Sequence, residues 1–97
     1  MLRKNEILKI LRDYKQRYAD KYGITSLGFF GSAAREQSSE DSDLDICITV
    51  QTPDPFMLAH IKEELEQIVQ RRVDIVRVRE KMNPFLKKRI EQEAIYV

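Results

Sequence analysis

Hydrophobic residues recur at two different periods along this chain, and the alternation of those periods lays out its elements. From Ile7 to Tyr22, the residues Ile7, Leu8, Leu11, Tyr14, Tyr18 and Tyr22 follow at steps of one, three and four. That spacing is one face of a helix, with the three tyrosines read as core, and Gly23 closes it. Thr25 to Phe30, bounded by Gly23 and Gly31, is short and rich in Leu and Phe, which predicts a buried strand. A turn at Gly31-Ser32 leads into a short helix and then a polar, acidic stretch from Glu36 to Ser42. Asp43 to Val50 alternates strictly, with Asp43, Asp45, Cys47 and Thr49 on one face and Leu44, Ile46, Ile48 and Val50 on the other.

Thr52-Pro53-Asp54-Pro55 ends that strand and starts a helix, because Asp54 can cap free N–H groups and Pro55 suits the first helical position. Its buried stripe is Leu58, Ile61, Leu65, Ile68 and Val69. A second alternating strand spans Val73 to Val78 with Asp74, Val76 and Val78 on one face; Asn83-Pro84 then repeats the cap-plus-proline signal ahead of a helix from Phe85 to Ala94. The order α, β, short α, β, α, β, α predicts an α/β (mixed α+β) fold: a small three-stranded mixed sheet flanked by about four helices. The apolar ending Ile95-Tyr96-Val97 either folds back on the sheet or meets a partner.

At 97 residues the chain holds one domain, 1–97. Lys and Arg number 17 against 16 Asp and Glu, a net charge of +1, so the footprint of a dedicated nucleic-acid binder is missing and no direct nucleic-acid partner is expected. The single cysteine, Cys47, forms no internal disulfide, and charges interrupt the N-terminal segment, so a reducing cytoplasm is the expected location. The uncharged stretch Ile46 to Pro53 is too short and too polar to span a bilayer.

Candidate chemistry gathers between Gly31 and Asp74. A Gly-Ser turn between strand and helix leaves backbone N–H groups and a hydroxyl free for phosphate oxygens. Two carboxylates at i and i+2 on a strand, Asp43 and Asp45, point the same way about 7 Å apart and offer oxygen ligands to hard divalent cations. Asp74 on the next strand can converge on the same cations. Three carboxylates beside a phosphate cradle suit metal-assisted phosphoryl or nucleotidyl transfer, in which two ions roughly 4 Å apart clamp the attacking and leaving oxygens.

Gly31-Ser32, ten residues, then Asp43-Leu44-Asp45 resembles the Gly-Ser-x10-Asp-x-Asp signature of the DNA polymerase β-like nucleotidyltransferase superfamily. At ordinary residue frequencies a chance match in this chain is of order one in a thousand. Within the superfamily the chain is similar to the minimal nucleotidyltransferases, encoded beside HEPN-domain toxins and acting as their antitoxins. Length, element order, Ala34-Arg35, Ser42-Asp43-Leu44-Asp45-Ile46, Val73-Asp74-Ile75-Val76 and Glu93-Ala94-Ile95-Tyr96-Val97 carry that resemblance across essentially the whole chain. It implies that Asp43, Asp45 and Asp74 are catalytic and ligate Mg²⁺, with two ions expected, and that Asp74 accepts the proton of the attacking hydroxyl. It further implies that Gly31 and Ser32, with Arg35, bind the triphosphate of ATP. One position departs: members of the family usually carry Gly after Ala-Arg, and this chain has Glu36.

The expected function is Mg-ATP-dependent transfer of AMP to a hydroxyl, that of a Tyr, on a cognate HEPN-type toxin, with the chain and toxin forming a hetero-oligomer. The alternative is a non-catalytic module of the same fold that neutralises its partner by contact, and Glu36 is the feature that speaks for it. Transfer to a small molecule such as an antibiotic is a third reading, disfavoured because no acceptor domain accompanies the core. The other features have plainer readings. His60 is a surface or packing residue, and Cys47 is packing. The six acids between Glu36 and Ile61 are either a polar surface or a cation site. The eight basic residues from Arg71 to Arg89 are either solvated helix and loop surface or a patch for an acidic partner or nucleotide phosphates.

Overall fold

A computed structural model describes residues 2–37 and 42–97. α1 (Lys4–Tyr22) leads to β1 (Ile24–Phe30), then β2 (Leu44–Val50), α2 (Pro55–Val69), β3 (Val73–Arg77), α3 (Pro84–Glu93) and β4 (Ile95–Tyr96). The sheet order is β3-β2-β1-β4. β1 runs antiparallel to both β2 and β4, whereas β2 and β3 are parallel. Parallel neighbours need a crossover, and α2 is that crossover. Part of the acidic stretch after β1, at 38–41, lies outside the described residues.

The expected α/β class stands, with two differences in the count. The short helix after Gly31-Ser32 is a series of turns, leaving three helices among the described residues. The sheet gains a fourth strand, because the apolar C-terminal residues fold back along β1. Gly28 permits this: a Cβ there would stand 2.5 Å from the Ile95 carbonyl oxygen and 2.9 Å from the Tyr96 ring. Val97 N–H donates to the Leu27 carbonyl at 2.9 Å and Lys15 Nζ donates to the Val97 carbonyl at 2.9 Å, so the chain end is tied at both groups.

The alternation read in β2 sorts its residues onto two covered faces. Leu44, Ile46, Ile48 and Val50 pack with Leu27 and Phe29 of β1 beneath Ile7, Leu11 and Tyr14 of α1 and Ile61, Leu65 and Val69 of α2. Each such aliphatic or aromatic side chain, fully buried, contributes about 1.5–3 kcal/mol. Ile68, expected in the α2 stripe, is 50% exposed, because the turn of the helix carries it past the edge of that contact. Of the three tyrosines only Tyr14 is buried; Tyr18 and Tyr22 continue a ring stack along the rim, with centroids 4.7 and 5.5 Å apart.

On the opposite face α3 lays Ile90 against Phe30 and Cys47. Cys47 is therefore packing, as expected, and burial pushes its thiol pKa up. Both proline-started helices are capped as their sequences predict. Asp54 accepts from Phe56 N–H at 2.9 Å, and Asn83 accepts from Phe85 and Leu86 N–H at 2.9 and 3.2 Å. Glu66 of α2 accepts the first N–H of β3, from Val73, at 2.9 Å and so fixes where that strand begins.

Candidate active site

The end of the sheet where β1 finishes and β2 and β3 begin collects the charged side chains. Phe30 is paired with Asp45 across the antiparallel strands, and Asp45 with Asp74 across the parallel ones. Directly paired residues project to the same face, so Phe30, Asp45 and Asp74 form a row on the face that α3 covers. Strands stand about 4.8 Å apart, which makes the two carboxylates close neighbours. Asp45 is half-buried and Asp74 is exposed. Burial raises the pKa of Asp45 most; the charge of Asp74 adds to this, Arg89 opposes it, Asp43 raises it further and Arg35 opposes it. Asp45 thus stands in a field of two carboxylates and two guanidinium groups.

Gly31 follows Phe30 directly, with φ of 74°. A Cβ at this position would strike the Asp45 carboxylate, so the absent side chain at residue 31 is the space in which Asp45 sits. The chain then makes a single helical turn. Arg35 N–H donates to the Gly31 carbonyl at 3.1 Å, Glu36 N–H to the Ala33 carbonyl at 3.2 Å, and Gln37 N–H to the Ser32 carbonyl at 2.8 Å. With Glu36 at φ 58°, the last two bonds form the Schellman closure that ends helices. The left-handed position of such a closure favours glycine, and here it holds a glutamate. The Ser32 hydroxyl has no hydrogen-bond partner among the described residues.

Arg35 turns toward α3, where its Nη1 donates to both Glu93 carboxylate oxygens at 2.9 Å, and its Nε donates to Gln37 Oε1 at 3.2 Å. Asp43, just ahead of β2, is exposed and meets Arg72 Nε at 3.5 Å. Arg71 donates from Nε to the Ser42 carbonyl at 3.0 Å, clamping the approach to β2. Two members of the basic run therefore help to set the start of β2. His60 meets Glu64 at 2.9 Å on the helical surface, away from this row.

The six residues predicted for the site are thus brought to one end of the sheet, with Asp45, Asp74 and Gly31 in the tightest group. Among the described residues, no three His, Cys, Asp or Glu side chains are gathered closely enough to hold a metal ion. The donor chemistry nevertheless suits a hard divalent cation: Asp45 and Asp74 are adjacent carboxylates whose mutual repulsion a cation would relieve, and Asp43 is held only by an exposed ion pair. Arg89 and Glu93 of α3 were not singled out in the sequence. Their signal was faint: Arg89 appeared only as the last member of a basic run, and Glu93 only as the first residue of the C-terminal stretch that carries the resemblance.

The family described as "Nucleotidyltransferase domain" matches residues 5–97. The chain belongs to that family. Among its relatives in this nucleotidyltransferase family, "Protein adenylyltransferase MntA" of Thermococcus cleftensis is 32% identical over 98 residues, covering 100% of this chain and 98% of the relative. "Putative protein adenylyltransferase MJ1379" of Methanocaldococcus jannaschii is 38% identical over 96 residues, with 96% of each chain covered. Among solved structures, "Structure of putative minimal nucleotidyltransferase" superposes with a TM-score of 0.78 at 28% identity, covering 97% of this chain and 95% of that one. The fold is also that of a chain in a toxin–antitoxin crystal structure with AMP-PNP, with a TM-score of 0.71 at 22% identity and coverage of 98% and 72%. A complex of tri-AMPylated Shewanella oneidensis HEPN toxin with MNT antitoxin gives a TM-score of 0.61 at 20% identity, covering 96% and 66%. No helix among the described residues is long and apolar enough to cross a membrane.

Proposed function

We propose that this nucleotidyltransferase transfers AMP from ATP to a hydroxyl of a partner protein, a Tyr of a HEPN-type toxin, and thereby acts as the toxin's antitoxin. The observation that carries this reading is the Asp45–Asp74 pair set in register beside the side-chain-free Gly31. The names of the relatives, and the nucleotide analogue and AMPylated toxin in the complexes of the same fold, support the choice of AMP and of a protein acceptor.

In this reading Gly31 and Ser32 hold the triphosphate, the latter through its unengaged hydroxyl, and Arg35 stands at the edge of the same loop. Asp43, Asp45 and Asp74 would hold Mg²⁺, two ions being expected, which supplies the charge that lets carboxylates and phosphates share the site. Asp74, exposed on β3 in register with Asp45, accepts the proton of the incoming hydroxyl. The hydroxyl oxygen forms a bond to the α-phosphorus, the bond from that phosphorus to the β-phosphate bridge oxygen breaks, and pyrophosphate leaves.

The test is label transfer from α-phosphate-labelled ATP to the partner encoded beside this chain. Labelling that collapses in an Asp43→Asn/Asp45→Asn double variant is the expected result, and equal labelling by that variant overturns the reading. A second reading, neutralisation by contact alone, is favoured by one observation: Glu36 occupies the left-handed position of the phosphate loop. Relief of toxicity by a wild-type chain that transfers no label selects it.

A further inference from the structure

Two arginines act on Asp45, and the structure treats them differently. Arg35 is held by Glu93 through two bonds at 2.9 Å. Arg89, on the exposed side of α3, donates no hydrogen bond and forms no ion pair among the described residues. Its guanidinium carbon lies 5.9 Å from the centroid of the Phe30 ring, and Phe30 is the register partner of Asp45. The ring beneath it is fixed: Phe30 is 2% exposed and packs with Cys47 and Ile90. Ile90, adjacent to Arg89 in sequence, anchors α3 in that cluster.

A guanidinium lying over an aromatic face keeps its N–H donors at the rim, where they can make paired bonds to an anion. An arginine so placed has its plane oriented in advance, and the fork of donors matches phosphate oxygens better than a lysine does. Phe30 lies immediately before Gly31 and opposite Asp45, so these donors stand at the same end of the sheet as the loop after Gly31. Arg35 is bonded to the Glu93 carboxylate, whereas Arg89 makes no hydrogen bond or ion pair to a carboxylate among the described residues.

We propose that Arg89 is a nucleotide-binding residue of this site, taking the β- and γ-phosphates of ATP and the pyrophosphate that leaves. The proposal rests on the reading of the site as an ATP-dependent transferase and adds a residue to it. In the free protein Arg89 offsets part of the negative charge around Asp45; with nucleotide bound, its rim donors bond the two phosphates farthest from the acceptor. AMP lacks those phosphates and gains nothing from Arg89.

Titration calorimetry of the intact chain with MgATP, magnesium pyrophosphate and AMP separates the possibilities. Arg89→Gln is expected to weaken MgATP and pyrophosphate binding by about tenfold to a hundredfold, the usual effect of losing a charge-assisted bond, while AMP binding is unchanged. Arg89→Lys should recover part of the loss. Arg89→Met keeps an apolar stem over Phe30, so it decides the matter should the Gln variant not fold. Wild-type affinity for MgATP in these neutral variants overturns the proposal, and so does an equal loss for AMP, which would mark a general distortion. A wild-type chain that binds no MgATP overturns the transferase reading and this proposal together. A wild-type chain that binds MgATP yet labels no partner overturns only the former.

Discussion

Asp45 of β2 and Asp74 of β3 stand opposite each other in register on the parallel strand pair, and after burial the charge of Asp74 does most to oppose ionisation of Asp45. Like charges on neighbouring strands destabilise a sheet, so this pair weakens the fold at the point where the proposed chemistry needs it. Replacing either aspartate should therefore separate stability from activity. Asp45→Asn is expected to raise the thermal midpoint while abolishing Mg²⁺-dependent ATP binding. Asp74→Asn should lower the transfer rate by roughly a hundredfold to ten-thousandfold, the range for a lost general base. Parallel melting curves and label-transfer rates check both, and a destabilised Asp45→Asn would contradict the repulsion.

Gly31→Ala adds a single methyl group at φ 74° against the Asp45 carboxylate. The backbone alone costs about 1 kcal/mol, which for a domain of this size lowers the melting midpoint by roughly 4–8 °C. The methyl also moves Asp45 from its place in the row, so label transfer should fall by much more than the stability loss explains. A variant that melts lower but transfers at the wild-type rate would show that Asp45 can shift without consequence.

The elements with a clear period or a stereochemical marker were legible in the sequence. Alternation fixed both faces of β2, and Asp54-Pro55 and Asn83-Pro84 marked two helix starts to within a residue. The segment after Gly31 was less legible, since one turn ended by a Schellman closure has the same residues as the first turn of a helix. β4 was not legible as a strand: two residues have no period, and what holds them is Gly28 on another strand. The candidate aspartates could be read because their strands carry them at fixed spacing. Arg89 reaches the same place only through the packing of α3, which no local pattern encodes.

Tyr22 and Tyr14 both donate to Glu64 Oε1, at 2.7 and 3.3 Å, and tie α1 to α2. Burial and then the bond to Glu64 push the Tyr22 hydroxyl up to about 12 from its ordinary 10.0, and Tyr14 is pushed higher still. A raised folded-state value means that the neutral hydroxyl stabilises the fold fully below pH 10.0 and that this contribution is lost as pH rises toward 12. The stability difference between wild type and Tyr22→Phe should therefore be largest below that window and shrink across it. Denaturant unfolding at a series of alkaline pH values measures this, and a constant difference would exclude the linkage.

Glu36 and Gln70 are the two non-glycine residues with positive φ among those described, at 58° and 57°. Gln70 ends α2 far in sequence from the turn after Gly31, so it serves as a control for backbone strain alone. Replacement by Gly should stabilise the fold at either position by roughly 0.5–1 kcal/mol, since only the left-handed conformation is relieved. Affinity for MgATP is a different quantity, because strain relief acts on free and bound forms alike. What Glu36 adds at the proposed phosphate site is a carboxylate, and an exposed charge a few ångströms from a phosphate opposes binding by about 1 kcal/mol, or fivefold. Glu36→Gly should thus both stabilise the chain and tighten MgATP binding, whereas Glu36→Gln keeps the strain and should only tighten binding. Gln70→Gly should stabilise without changing affinity. Weaker binding by both Glu36 variants would mean that the carboxylate helps to hold the nucleotide, and Glu36 would then join the site as a ligand-positioning residue.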